Sequence, residues 1–340
     1  MIEIALLELN ERDLLFRETA QVSRLSEAII EKDFWVCFML EQLFVKSKYK
    51  DDLYFKGGTS LSKCYGLIQR FSEDIDIIID WRILGYNDEE PWQTRSNRSQ
   101  EKMNEEINNK TNEFLKSTFI PYMNGLLTKQ EFKDFKLEMD ENDPLTVLFG
   151  YPALYNDTYV KPIVRLEIGA LAAKLPIEER KITPYINDYL DGLNADYSFK
   201  VCVISEVRTL FEKMTILHGE ANRTSNFPIR YARHYYDVYK MLNTSLLKKS
   251  LSNIELLNDV VEFKMKFYKS ARSKYEEIVE GNLKLVPNAN AIKIYEKDYG
   301  EMKHMFFDEI PSFKQIINFL KETESIYNEK IRLNKKQTAR

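Results

Sequence analysis

Apolar and polar positions along the chain change rhythm twice, and the changes outline its architecture. From about Leu6 to Phe44 the spacing is helical. In LSEAIIEKDFWVCFMLEQLF, the residues Ile29, Phe34, Val36, Cys37, Met39, Leu40 and Leu43 form a stripe wide enough for a deeply buried helix. Ser26 ahead of Ala28 and Ile29 is a start signal, and Lys32 and Asp33 are expected at the polar edge of the stripe. The period then shortens. Leu53 to Phe55 reads as a strand running into a glycine turn, LSKCYGLIQRF as a helix with Leu61, Cys64, Tyr65 and Ile68 on one side, and DIDIIID as a strand. VKPIVRLEIGAL alternates Val164, Leu166 and Ile168 against Arg165 and Glu167, the pattern of a half-buried strand, and FKVCVISEV is another. Residues 85–115 read as a polar loop and an exposed helix, and AKLPIEERKITPYINDYL as a loop followed by a short helix. After Val207 the strand signals stop: RTLFEKMTILHGEANR, RYARHYYDVYKMLN and NIELLNDVVEFKMKFYKS all carry helical periodicity. The expected organisation is an α/β domain with N-terminal helices over 1–205 and a helical domain over 206–340, an α+β chain.

Length agrees with two domains, since 340 residues at roughly 150 per domain gives about two. With 44% hydrophobic and 30% charged residues, the composition excludes a disordered or fibrous chain. Lys+Arg 49 against Asp+Glu 53 gives a net charge of −4, so there is no global basic field and any nucleic-acid contact needs a local patch. The longest apolar run, Phe34 to Leu40, is far short of the ~20 residues that span a bilayer. MIEIALLELNERD places acids where an export signal needs Lys or Arg. The three cysteines, Cys37, Cys64 and Cys202, are isolated, which argues against a disulfide framework. The expected setting is the cytoplasm, without a membrane. His218, His234 and His304 have no zinc-like spacing with the cysteines. Any metal is therefore expected to be a hard cation on carboxylates.

The chemistry concentrates in FKGGTSLSKCYGLIQRFSEDIDIII. On a strand, Ile75, Ile77 and Ile79 face one way and Asp74 and Asp76 the other. Carboxylates two residues apart have Cα atoms about 6.6 Å apart, close enough to share one divalent ion and for one of them to bridge to a second. Mg²⁺ suits such a pair, because it takes few protein oxygens and fills its shell with water and phosphate. Gly57 and Gly58 let backbone approach a ligand, and Thr59 and Ser60 bring hydroxyls and N–H groups to the start of a helix, where phosphate is attracted. Lys63, one turn in, adds a positive charge. A glycine turn alone is commonly structural, and an Asp-x-Asp pair alone can be a solvated face. Together and in this order they form a phosphate cradle beside a metal clamp. Further on, Arg223, Arg230, Arg233, His234 and Lys240 interleave with Tyr231, Tyr235, Tyr236 and Tyr239. This is either a nucleic-acid surface that pairs phosphates and stacks bases, or core tyrosines with arginines paired to nearby acids. The tail EKIRLNKKQTAR is basic and reads as a flexible solvated end.

GGTSLSK followed by RFSEDIDI resembles the signature of the AbiEii/AbiGii-type nucleotidyltransferase toxins, within the DNA-polymerase-β-like nucleotidyltransferase superfamily. Fifteen residues separate Gly58 from Asp74, slightly more than the commonest superfamily spacing. IEKDFWVCFMLEQLF, RLEIGALAAKLPIEERKITPYI, TLFEKMTIL and RYARHYYDVYKML also resemble family segments, so the likeness spans about residues 25–245. It implies a nucleotidyltransferase-type mixed sheet flanked by helices and followed by a helical domain. It implies Mg²⁺-dependent transfer of NMP from an NTP to an acceptor hydroxyl, with a two-metal site on Asp74 and Asp76. Some relatives modify the 3′ end of tRNA, which makes tRNA the preferred acceptor, with a protein acceptor as the alternative. The implied setting is the toxin of a type IV toxin–antitoxin or phage abortive-infection pair, with its antitoxin encoded nearby.

By the same resemblance, Glu167 is a third carboxylate that activates a hydroxyl or completes the metal shell, with a salt bridge to Arg165 as the alternative. Lys213 neutralises triphosphate charge, unless it is an ordinary solvated lysine. Asp237 orients Lys213 or contacts the nucleotide, unless it pairs with Arg233 at i−4. Two other readings share part of the pattern. A glycosyltransferase would use Asp-x-Asp but not the preceding GGTS, and an inactive nucleotidyltransferase fold would be a binding module.

Overall fold

A computed structural model of the protein describes residues 1–72, 74–157, 160–190, 195–307 and 309–338. The chain divides into two units. The first comprises Met1–Tyr65 and Phe71–Ile204, and the second comprises Gly66–Arg70 and everything from Ser205 onward. Gly66–Arg70 thus lies inside the strand–turn–strand segment of the sequence yet belongs to the helical unit.

The first unit is built on a seven-stranded mixed sheet in the order β3-β4-β5-β2-β1-β7-β6. The strands are β1 Leu53–Lys56, β2 Asp74–Ile79, β3 Lys136–Met139, β4 Thr146–Gly150, β5 Ile163–Gly169, β6 Ile177–Ile182 and β7 Phe199–Ile204. β2 runs parallel to β5 and antiparallel to β1, while β1 is parallel to β7. Alternation decides which face is buried. Ile75 lies opposite Leu166, Leu166 opposite Val147, and Val164 opposite Phe149, so these residues share one face, and all are buried.

The Glu27–Glu41 helix covers that face. Trp35 and Phe38 bring their rings 6.1 and 6.2 Å from Phe149, and Trp35 stacks on Tyr151 at 5.3 Å. Ring packing of this kind adds about 0.5–1.5 kcal/mol per pair beyond the area buried. Ser26 caps the helix, its side chain accepting from the Ile29 N–H. Lys32 and Asp33 are not at a polar edge; both are buried, as is Glu31. Lys32 Nζ donates to the Lys161 and Ile163 carbonyls, Glu31 accepts from the Leu154 and Tyr155 N–H groups, and Asp33 accepts from the Tyr185 N–H and from Lys63. A helix buried on every side tolerates charges only when each meets a partner, and here the partners come from distant segments.

Two further expectations are corrected. IEERKI, read as part of a loop, is the edge strand β6. Its charged side chains hide the strand pattern, and charge is what an exposed sheet edge carries against unwanted pairing. The helix expected over LSKCYGLIQRF instead starts on the glycines, spans Gly57–Lys63 and stops at Cys64. Gly66 then takes φ +62°, a left-handed turn that glycine adopts at no steric cost.

The second unit is helical, with main helices Glu206–Ala221, Ala232–Leu242, Ile254–Phe267, Ala289–Glu301 and Phe313–Thr338. Tyr235 and Tyr236 are core residues. Tyr235 lies 5.3 Å from the Tyr295 ring, and Tyr236 lies 4.5 Å from Phe306. The basic tail is not a loose end through Thr338, since it continues the Phe313–Thr338 helix and buries Ile331. Among the described residues no helix is long and apolar enough to cross a membrane.

Candidate active site

The face of the sheet opposite Trp35 carries the acids. Ladder partners project to the same side, so register defines two rows. Lys56, Asp76, Glu167 and Thr146 lie side by side across β1, β2, β5 and β4, and Asp74 lies opposite Arg165 in the neighbouring row. The structure therefore brings Asp74, Asp76 and Glu167 onto one face. Lys56 joins them as a cation that sequence reading missed, although its place one residue before Gly57 makes it findable once the register is known.

The glycine turn meets this row. Gly57 has φ +80°, and a Cβ placed on it would lie 1.8 Å from Asp76 Oδ2. Both the backbone conformation and the close approach of the carboxylate demand glycine here. The Thr59 hydroxyl lies within hydrogen-bond reach of the Ser72 and Asp74 carbonyls, tying the short helix to the start of β2, and the Ser60 hydroxyl donates to the Gly57 carbonyl at 2.8 Å. Both side chains are buried. They hold the turn against the strand and do not present hydroxyls to a ligand, contrary to expectation. Lys63 is also engaged elsewhere. Its ammonium lies 2.6 Å from Asp33 and 4.0 Å from the Tyr185 ring centre, and burial disfavours its charge but Asp33 more than offsets that and holds its pKa above the ordinary lysine value. Its charge is already matched inside the unit.

Electrostatics separate the acids. Glu167 is pushed up to about 7, by burial first and then by the negative charges of Asp76 and Asp74, although its side chain remains 42% exposed. Arg165 offers partial compensation. Its Nε lies 3.8 Å from both Asp74 and Glu167, and its Nη1 is bound to Asp140 at 2.5 Å. The salt bridge to Arg165 and the clustering of the carboxylates are thus both present. The donor set is all oxygen and carries excess negative charge, which fits a hard divalent cation. Among the described residues no group of three His, Cys, Asp or Glu side chains is arranged to hold a metal, so Glu167 does not complete a preformed three-carboxylate shell.

The second unit holds a different kind of cluster. Asp237 is fully buried; Arg70 grips it through Nε–Oδ1 at 2.7 Å and Nη2–Oδ2 at 2.8 Å, and Lys213 Nζ reaches Oδ2 at 2.8 Å. Lys213 is buried, not solvated, and the partners of Asp237 include Arg70, which sequence reading missed. Burial would raise the Asp237 carboxyl, but Arg70 and Lys213 hold it far below the usual carboxylate range. Burial also lowers the Lys213 pKa; Asp237 works against this, while Arg70 and Arg233 add to it. His234, pushed well below 6.5 by burial and then by Lys213 and Arg233, is neutral at pH 7. Of the arginines read as nucleic-acid candidates, Arg223 is paired with Glu220 at 2.6 Å, Arg230 is exposed at φ +62°, and Arg233 is half-buried.

A strand-borne Asp-x-Asp pair with a glycine turn packed against it, on a mixed sheet followed by helices, is the arrangement of a nucleotidyltransferase. A family model described as "Nucleotidyl transferase AbiEii toxin, Type IV TA system" matches residues 39–319, and the chain belongs to that family. Family membership makes it the nucleotidyltransferase toxin of a type IV toxin–antitoxin system, with an NTP as substrate and an antitoxin as partner, and it sets aside the glycosyltransferase alternative. No curated protein matches in sequence. Among solved structures, the chain is similar to MenT4, a nucleotidyltransferase toxin from Mycobacterium tuberculosis, with 15% identity and a TM-score of 0.44 over 92% of this chain and 98% of that one. It is also similar to JHP933 from Helicobacter pylori, with 11% identity and a TM-score of 0.37 over 90% and 94% of the two chains.

Proposed function

We propose that the protein transfers a nucleoside monophosphate from an NTP to the 3′-terminal hydroxyl of tRNA in a Mg²⁺-dependent reaction, acting in the cytoplasm as the toxin of a phage-defence pair. The observation that carries this reading is the convergence on one face of Gly57, Asp76, Asp74 and Glu167. Asp74 and Asp76 would hold the metal. Bound there, Mg²⁺ supplies charge neutralisation to the triphosphate and polarises the reacting phosphate.

The chain's own residues do the rest. Gly57 and Gly58 let the nucleotide approach the backbone. Glu167, with its carboxyl near 7, accepts the proton of the acceptor hydroxyl as that oxygen bonds to the α-phosphorus and the α–β bridging bond breaks, releasing pyrophosphate. Lys213 is assigned to the triphosphate charge and Asp237 to holding Lys213, the roles the resemblance implies for them. Arg230, exposed, is the strongest of the three candidate arginines for contact with RNA phosphates.

The test is incubation with α-labelled NTPs, Mg²⁺ and total tRNA, run beside Asp76→Ala. Label on RNA 3′ ends with the unaltered protein alone supports the reading. Equal transfer by both rejects the assignment of the site, and label on protein alone replaces tRNA as acceptor.

A further inference from the structure

The acid-bearing face of the sheet holds a glycine that the fold does not require. Gly169 ends β5 and lies opposite Ile78, as Glu167 lies opposite Asp76, so it stands on the same face two residues beyond Glu167. Two residues along a strand span about 6.6 Å. The φ of Gly169 lies outside the left-handed range that favours glycine. Packing does not exclude a side chain there either: a Cβ built on Gly169 meets no atom of the described residues within 4 Å. Gly57 on the same face is the reverse case, since both its φ of +80° and the Asp76 carboxylate demand glycine. A glycine in a strand gives up stability, and one physical reason to keep it is a ligand that comes close to the backbone.

The open ground has a wall and a direction. The chain leaving β5 packs Ala172 against Tyr54, Ile78 and Ile204. The row Tyr54, Ile78, Gly169 is therefore covered over β1 and β2 and open over β5. The glycine turn stands at the other end of the acids. The Thr59 hydroxyl reaches the Ser72 and Asp74 carbonyls at the start of β2, and Gly57 meets Asp76. Since β2 and β5 are parallel, Gly169 lies toward the C-terminal ends of both strands, and the Asp76–Glu167 row runs between it and the glycine turn.

We infer that Gly169 is the floor for the terminal ribose of the acceptor RNA, which lies across the acid row from the triphosphate. The inference rests on the proposed transfer, with the triphosphate at the glycine turn and Glu167 as base, and it adds where the acceptor sits. The attacking oxygen and the leaving oxygen must stand roughly in line through the α-phosphorus. Pyrophosphate leaves with its bonding pair on the side of the glycine turn, so the acceptor oxygen enters from the opposite side, where its proton passes to Glu167. Gly169 is the residue on that side without a side chain, and the ribose that carries the attacking hydroxyl takes the space.

Two measurements on the full chain test it: transfer of α-labelled NTP as a function of tRNA concentration, and calorimetric titration with a non-hydrolysable NTP analogue in Mg²⁺. Thermal melts confirm folding, and valine, a strand former, is expected not to lower the midpoint. Gly169→Val should lower kcat/KM for tRNA by roughly 10²-fold, the cost of holding the reacting atoms off line, and leave binding of the NTP analogue unchanged. Gly169→Ala should fall between, so that the loss grows with the size of the side chain. Folded Gly169→Val that uses tRNA like the unaltered protein overturns the inference. Loss of NTP-analogue binding together with transfer also overturns it, because the space would then belong to the nucleotide. Should Gly169→Val fail to fold, Gly169→Ala decides by the same criteria. An unaltered protein that labels no RNA removes the proposed function and this inference with it, whereas RNA labelling that is insensitive to Gly169 removes the inference alone.

Discussion

The two units treat charge in opposite ways. On the sheet of the first, three carboxylates stand together on one half-open face, with Lys56 opposite Asp76 and Arg165 at 3.8 Å from Asp74 and Glu167. In the second, a single carboxylate is sealed from solvent and gripped by two cations at 2.7–2.8 Å. In the function proposed above, a divalent cation would sit among the carboxylates of the first arrangement. The contrast also separates two kinds of mutational effect: changes to the buried cluster should act on stability as well as on nucleotide binding, and changes to the open face on activity.

The largest expected effect tests the buried side. Asp237→Ala removes the buried carboxylate that pairs with both Arg70 and Lys213 and should cost about 3–5 kcal/mol of stability, read as the midpoint of chemical unfolding; a loss below about 1 kcal/mol would break the contrast. Next, Asp76→Ala should lower nucleotide transfer by roughly 10²–10³-fold. Its companion Asp76→Asn sharpens the point. Burial of Glu167 persists in it but one like charge is gone, so the Glu167 carboxyl should titrate below its present value of about 7, as followed by side-chain NMR. Gly57→Ala comes third. A β-carbon 1.8 Å from Asp76 Oδ2 at φ +80° must displace the carboxylate, so activity should fall toward that of Asp76→Ala while backbone strain costs about 1–3 kcal/mol.

The smallest effect concerns pH. His218 is buried, accepts from the Lys284 N–H at Nδ1 and faces the Lys274 carbonyl through Nε2, and burial lowers its pKa below 6.5. The unfolded chain therefore binds a proton that the folded one resists. The contribution is intact above pH 6.5 and is lost progressively as pH falls below it. His234 shifts the same way, so His218→Asn should reduce, without abolishing, the acid-side slope of stability in unfolding curves between pH 7 and 5.

How much of this was legible in the sequence follows from the range of the forces involved. Alternation in β2 and β5 is a local signal, and it placed Asp74, Asp76 and Glu167 correctly on the face opposite the isoleucines. The glycine turn was legible for the same reason, though not the cause of its first glycine, which is a carboxylate arriving from 19 positions later in the chain. Lys32, Asp33 and Lys63 were misjudged because their partners are remote: Lys161 and Ile163 carbonyls for the first, and each other for the last two. No periodicity reports a pairing across tens of residues. Arg70 was missed on the same grounds, its partner lying 167 positions away. β6 was missed because edge strands suppress the apolar alternation by which strands are recognised.

The central claim is that the Asp74–Asp76 face receives metal and nucleotide together. The most direct measurement is paramagnetic line broadening of backbone amide signals by Mn²⁺ in the presence of a non-hydrolysable NTP analogue, in the unaltered protein and in Asp74→Asn/Asp76→Asn. The account predicts that the amides of Gly57, Asp76 and Glu167 broaden first, and that the double variant abolishes this. Broadening that begins elsewhere, or persists unchanged in the double variant, would contradict it.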